Sequence, residues 1–205
     1  MEKLLSWFGM GKAENTYLIV GLGNPGKEFR NNRHNVGFMV IDEFAKRHGV
    51  EFRRVRQEAL VEKSAIYGLD VVLAKPRTFM NRSGVSVAAL ARFYKLPQEQ
   101  ILIAFDDVDL DFGRVRLKPE GGSSGQKGMK SVIEKLGTKE FPRLRIGIGR
   151  PPGKMKTPSY VLQDFSKSEQ KELPFLLDRA ASAIDAFLTE GIEMAMNSVN
   201  QKLDE

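Results

Sequence analysis

Tyr17-Leu18-Ile19-Val20-Gly21-Leu22-Gly23-Asn24-Pro25-Gly26 decides how this chain is read. The apolar run predicts a buried strand over 17–21, and the glycine-rich turn ends it. A short polar stretch follows, holding Arg33-His34-Asn35. A histidine shortly after a strand and a glycine turn sits where α/β proteins expose reactive groups. Imidazole can be neutral and basic near pH 7, so it can take a proton from water or a hydroxyl. The chain has 2 histidines, His34 and His48. The bland alternative for His34 is a surface or core-edge residue.

The same turn matches the dinucleotide fingerprint G-x-G-x-x-G, but its context does not. That fingerprint needs a helix opening on the last glycine and an acidic residue ending a second strand. Here Lys27-Glu28-Phe29-Arg30-Asn31-Asn32 follows with no helical stripe, and Asp42 and Glu43 fall inside a helical pattern. Gly121-Gly122-Ser123-Ser124-Gly125 matches the nucleophile elbow. Both histidines precede Ser123, so the order serine, acid, histidine fails. Asp107-Val108-Asp109-Leu110-Asp111 opens like a calcium loop, yet Phe112 and Lys118 stand where glycine and glutamate are required. There is no cysteine for zinc or redox chemistry, and no H-E-x-x-H pattern is present.

Working outward, strands are predicted at 17–21, 64–67, 71–75, 101–105, 114–118 and 143–148. Helices are predicted at 36–48, 84–95, 127–137, 168–190 and 192–199. Val36, Met39, Val40 and Phe44 give the first helix an apolar face, and Gly49 ends it. Ser83 is the predicted cap of the second, Ser166-x-x-Glu169 is a capping box, and Gly191 stops the long C-terminal helix. This mixture predicts an α/β sheet with helices on its faces. At 205 residues, a single domain over 17–205 is expected, with 1–16 as an N-terminal extension. That extension has a short apolar core and no A-x-A site, so no secretory signal is read there. No apolar run is long enough to span a bilayer, and zero cysteines fits a reducing, cytoplasmic setting.

Net charge is +6, and it is localised. Between Asp111 and Lys156 stand 12 Lys/Arg against 4 Asp/Glu, a balance of +8 that leaves the remainder at −2. Such a stripe points to a polyanion, nucleic acid first. Arg114, Arg116 and Lys118 alternate with apolar residues, as do Arg143 and Arg145, and all five are read as sheet-face cations placed to grip phosphates. Polar groups lie just past the strand ends: Asn24, Asn81 and Asp106. Asp106 can hold His34 in one tautomer, and asparagine amides can donate to a carbonyl that gains negative charge.

Gly21-Leu22-Gly23-Asn24-Pro25-Gly26, Arg33-His34-Asn35-Val36-Gly37-Phe38, Thr78-Phe79-Met80-Asn81-Arg82-Ser83-Gly84, Asp106-Asp107-Val108-Asp109-Leu110 and Phe141-Pro142-Arg143-Leu144-Arg145-Ile146-Gly147-Ile148-Gly149-Arg150 stand in order over about residues 17 to 200. Together they resemble bacterial-type peptidyl-tRNA hydrolase. The resemblance implies one domain with a twisted mixed β-sheet flanked by helices, acting as a monomer in the cytoplasm. It also implies an enzyme that cleaves the ester between a peptide and the terminal ribose of tRNA, with no metal or cofactor. By this likeness His34 is the general base, Asp106 its partner, and Asn24 a contact to the peptide beside the ester. Asn81 and Phe79 line the site, while Lys118 and Arg145 meet tRNA phosphates. Two positions depart from the family's pattern. Phe29, counted with the substrate- and tRNA-contacting residues, stands where a tyrosine is usual, and Gln126-Lys127 replaces the usual His-Asn of the G-G-H-N-G loop. Lys127 there is read as an oxyanion donor or a phosphate contact. The competing class is a non-catalytic RNA-binding relative on the same fold, of the splicing-factor kind.

Overall fold

The structure, a computed structural model, describes residues 15–201. Most of the predicted 1–16 extension therefore lies outside the described residues. Seven strands form one sheet in the order β2-β3-β4-β1-β5-β7-β6. They are β1 (Thr16–Gly21), β2 (Arg54–Arg56), β3 (Ala59–Ile66), β4 (Leu69–Pro76), β5 (Ile101–Asp107), β6 (Val115–Lys118) and β7 (Arg143–Gly147). The central four, β4-β1-β5-β7, are parallel. Antiparallel strands flank them: β3 and β2 at one edge, β6 at the other. Strands such as Leu18-Ile19-Val20 are fully buried on both sides, which is why they read as continuous apolar runs rather than alternating ones.

Among the described residues, five helices complete the layers: α1 (Val36–Arg47), α2 (Ser83–Tyr94), α3 (Lys127–Leu136), α4 (Thr157–Val161) and α5 (Lys167–Gln201). One apolar core packs Val36, Val40, Ile41 and Phe44 of α1 and Ala180, Ile184 and Phe187 of α5 against Ile19, Leu73 and Leu102. The other packs Val87 and Leu90 of α2 and Met129 and Val132 of α3 against Val20, Val72 and Phe105. From β1 the chain leaves toward one face, and from β4 toward the other. The crevice beyond the carboxyl ends of β4, β1 and β5 is where such sheets open a site.

Gly21, the first glycine of the dinucleotide-like turn, serves close packing with Gly37 of α1 instead. A Cβ on Gly37 would come within 2.5 Å of Ala104 O and 2.6 Å of Leu22 N, and one on Gly21 would meet Gly37 O. The first turn of α1 therefore rests directly on the backbones of β1 and β5.

Two edge features differ from the sequence expectation. The 64–67 strand is the end of a longer β3, and β2 precedes it. Both connections are two-residue hairpins with positive φ throughout, Gln57 and Glu58 at 49° and 53°, Tyr67 and Gly68 at 53° and 75°. Ser83 is not a cap; it is the first residue of α2, and its hydroxyl donates to Met80 O. Ser166 and Glu169 do exchange capping-box bonds, and Gly191 breaks α5 at φ 78°. Pro174 lies inside α5.

Gly37→Ala is expected to cost about 1–3 kcal/mol, because the neighbours in the way are backbone atoms that cannot rotate aside. Thermal unfolding beside wild type checks this; an unchanged midpoint would contradict the packing described.

Candidate active site

His34 and its neighbours Arg33 and Asn35 form a 3-10 turn just before α1, and all three are buried. Asp106, near the end of β5, is 2% exposed and His34 9%. Their side chains meet, with His34 Nδ1 2.8 Å from Asp106 Oδ2. An ionised carboxylate can only accept, so Nδ1 carries the hydrogen and a neutral ring keeps its lone pair on Nε2. A cavity of about 540 Å³ opens over this pair. Asn24, Phe79, Met80, Asn81, Gln126 and Lys127 line it.

Asn24 is held from three sides. Its N–H donates to Asn35 Oδ1, its C=O accepts from Asn35 Nδ2, and its Oδ1 accepts from Met80 N–H, all within 2.8–2.9 Å. Its Nδ2 is the group left to serve a ligand. Phe79, 59% exposed, and the exposed Asn81 form the opposite rim. Lys127 is exposed in the first turn of α3.

The other predicted residues fall elsewhere. Phe29 ends a 3-10 turn (Lys27–Phe29) and is not among the residues lining the cavity. Lys118 is exposed on the edge strand β6. Arg145 pairs with Asp107, Nε to Oδ2 at 2.6 Å, with its side chain 14% exposed. Arg143 corrects the reading of five phosphate-gripping cations. It is 1% exposed, and its guanidinium donates to the carbonyls of Gly121, Gly122, Lys139 and Phe141. Burial pushes its pKa down to about 10, which still leaves it charged at neutral pH. Its task is to hold the glycine loop that leads into α3.

Sequence reasoning missed the wall made by α4, where Thr157, Pro158, Val161 and Leu162 line the cavity. A proline in the first turn of a short helix was the available signal. Arg33 fastens that wall. Its guanidinium stacks on Tyr160 at 4.3 Å, donates to Asp164 O at 2.7 Å, and pairs with Glu169 at 2.6 Å. One tripeptide thus supplies both the histidine facing Asp106 and the bolt for the facing wall.

Comparison with known proteins shows the family of this fold. The sequence profile of the family described as peptidyl-tRNA hydrolase matches residues 18–205. A peptidyl-tRNA hydrolase of Chloroflexus aurantiacus is 48% identical over 185 residues, 90% of this chain and 98% of that one. A chloroplastic peptidyl-tRNA hydrolase of Arabidopsis thaliana is 48% identical over 187 residues, 91% of this chain and 65% of the relative's length. The crystal structure of peptidyl-tRNA hydrolase from Acinetobacter baumannii superposes with a TM-score of 0.85 at 37% identity, covering 91% of this chain and 95% of that one. An α/β hydrolytic enzyme is the class that fold and site define. The chain belongs to the peptidyl-tRNA hydrolase family, whose members hydrolyse peptidyl-tRNA, and the binding-only alternative is not favoured.

Glu169 tests the bolt. Burial pushes its carboxyl up, but the Ser166 hydroxyl and N–H and the Arg33 guanidinium outweigh that, leaving it below its ordinary value of 4.5. A depressed carboxylate stabilises the fold above its unfolded value, and that stability is lost as pH falls through the folded value. Glu169→Gln should lower the melting midpoint at neutral pH by about 2 °C, the scale of one partly exposed pair. The gap to wild type should close as pH drops below 4.5. A gap that is constant with pH would contradict the pairing.

Proposed function

We propose that His34 Nε2 takes a proton from a water that attacks the ester carbonyl of peptidyl-tRNA. The observation that carries this is the buried 2.8 Å contact between His34 Nδ1 and Asp106 at the floor of the cavity. The water oxygen bonds to the carbonyl carbon, and the bond from that carbon to the ribose oxygen breaks. The proton gathered by His34 passes to the departing ribose oxygen, so peptide acid and free tRNA leave and the ring is again neutral. Asp106 fixes the tautomer and stabilises the imidazolium formed midway, a role that requires it to stay ionised throughout.

Asn24 Nδ2 donates to the peptide beside the ester, which favours peptidyl- over aminoacyl-tRNA. Its Oδ1 is committed to Met80 N–H at 2.8 Å, so the amide cannot flip and present an acceptor instead. Phe79 and Asn81 receive the substrate at the rim, the exposed ring suiting an unstacked terminal base. Phe29 contributes its ring outside the cavity. Lys127 and Lys118, both exposed, meet phosphates near the acceptor end, and Arg145 adds charge from its pair with Asp107. The enzyme works as a monomer in the cytoplasm. No helix among the described residues is long and apolar enough to cross a membrane.

His34→Ala is expected to lower kcat by roughly 10²–10⁴-fold, the scale of general-base catalysis, with tRNA binding intact. Asp106→Asn should lose less, because it misorients the base without removing it. Peptide release from peptidyl-tRNA measures both, and wild-type turnover by His34→Ala would overturn the mechanism.

Lys127→Ala and Lys118→Ala should each raise KM more than they lower kcat, since a phosphate contact holds ground and transition states alike. The dependence of log affinity on log salt should flatten by about one unit for each. Cleavage of a short peptidyl-nucleotide ester should survive Lys127→Ala. Its loss would make Lys127 a transition-state donor instead.

A further inference from the structure

We infer that Gln126 is a positioning residue for the His34–Asp106 pair, and that it does this with a group that never titrates. This rests on the reading of His34 as the base. Gln126 is 7% exposed and stands at the N-cap of α3. Its Oε1 accepts from Met129 N–H at 2.6 Å. That backbone donor settles which end of the amide is which, so Nε2 must face the other way. There it donates to Asp106 Oδ1 at 3.0 Å, the oxygen that His34 does not use. Nε2 also lies 3.2 Å from Met80 Sδ, and Met80 N–H is what anchors Asn24. A Cβ on Gly128 would collide with Met80 Sδ and come within 3.0 Å of Gln126 Oε1. Gly128 therefore leaves room for the contact, and Arg143 holds the loop that delivers it.

The consequence is electrostatic as well as geometric. The positive end of the amide dipole points at Asp106, spreads its charge, and opposes a proton on His34. A histidine or acid at 126 could gain or lose charge beside Asp106; the amide does not. Gln126 thereby keeps His34 available as a base and fixes Asp106 in one rotamer at every working pH.

Two variants separate this role from simple helix capping. Gln126→Ser keeps a capping acceptor for Met129 N–H but cannot reach Asp106; Gln126→Met keeps length and loses both bonds. NMR titration of the two histidine rings, steady-state kinetics on peptidyl-tRNA, and melting midpoints are measured together. In both variants the His34 ring should titrate about half to one pH unit higher than in wild type. His48, beside Asp185, should not move. Turnover at neutral pH should fall roughly ten- to a hundredfold, the scale of one hydrogen bond to a charged group, with KM unchanged. Gln126→Met, which loses both bonds, should lose more melting temperature than Gln126→Ser, which loses only the one to Asp106. A His34 midpoint and kcat unchanged in both variants would overturn the inference and leave Gln126 a cap. A midpoint that moves while kcat stays level would keep the grip on Asp106 and overturn His34 as the base.

Discussion

Asp106 is buried to 2% exposure, and a carboxylate there is tolerated only when both oxygens are occupied by donors. Oδ2 takes His34 Nδ1 and Oδ1 takes Gln126 Nε2. Those two donors come from distant parts of the chain and from opposite faces of the sheet. His34 arrives on the turn before α1, Gln126 on the loop before α3. Satisfying one carboxylate therefore ties β1, β5, α1 and α3 into a single arrangement.

Much of the remaining structure makes those two deliveries possible. Gly21 and Gly37 let α1 touch the sheet backbone, which brings His34 within reach of β5. Arg143, buried among four carbonyls, stiffens the Gly121–Gly122 segment upstream of Gln126. Asn24 and Asn35 lock together across the first turn, and Asn24 reaches on to Met80. Arg33 then bolts the α4 wall to the turn that bears His34. Polar groups are buried at each junction, and each has a named partner on another element, which is what gives the site one geometry rather than several.

What was legible in the sequence follows from the physics of each signal. The central strands are buried on both sides and announce themselves as apolar runs. The helices carry their 3.6-residue periodicity and, in α5, a capping box and a terminal glycine. His34, Asp106 and Asn24 stood out in the sequence as polar residues near strand ends, and the fold brings all three to one cavity. The edge was harder to read. The turn Gln57-Glu58 adopts positive φ without glycine or asparagine to signal it, so β2 went unseen. Alternating charge along β6 and β7 read as one cationic face, yet Arg143 is spent on carbonyls and Arg145 on Asp107. Alternation reports which face a side chain takes, not what covers that face. The α4 wall is five residues long, too short for any periodicity. Gln126 could not be understood before the fold placed Asp106 Oδ1 opposite it.

The most direct test of the proposed role of His34 is a comparison of two pH profiles on the wild-type protein. The acid limb of kcat/KM for peptidyl-tRNA reports the essential base of the free enzyme. NMR reports the protonation of the His34 ring itself. If His34 is the base, activity rises with pH through the same midpoint at which its ring loses the proton. A limb displaced from the ring titration by more than about one pH unit, or no limb across it, would contradict His34 as the proton acceptor.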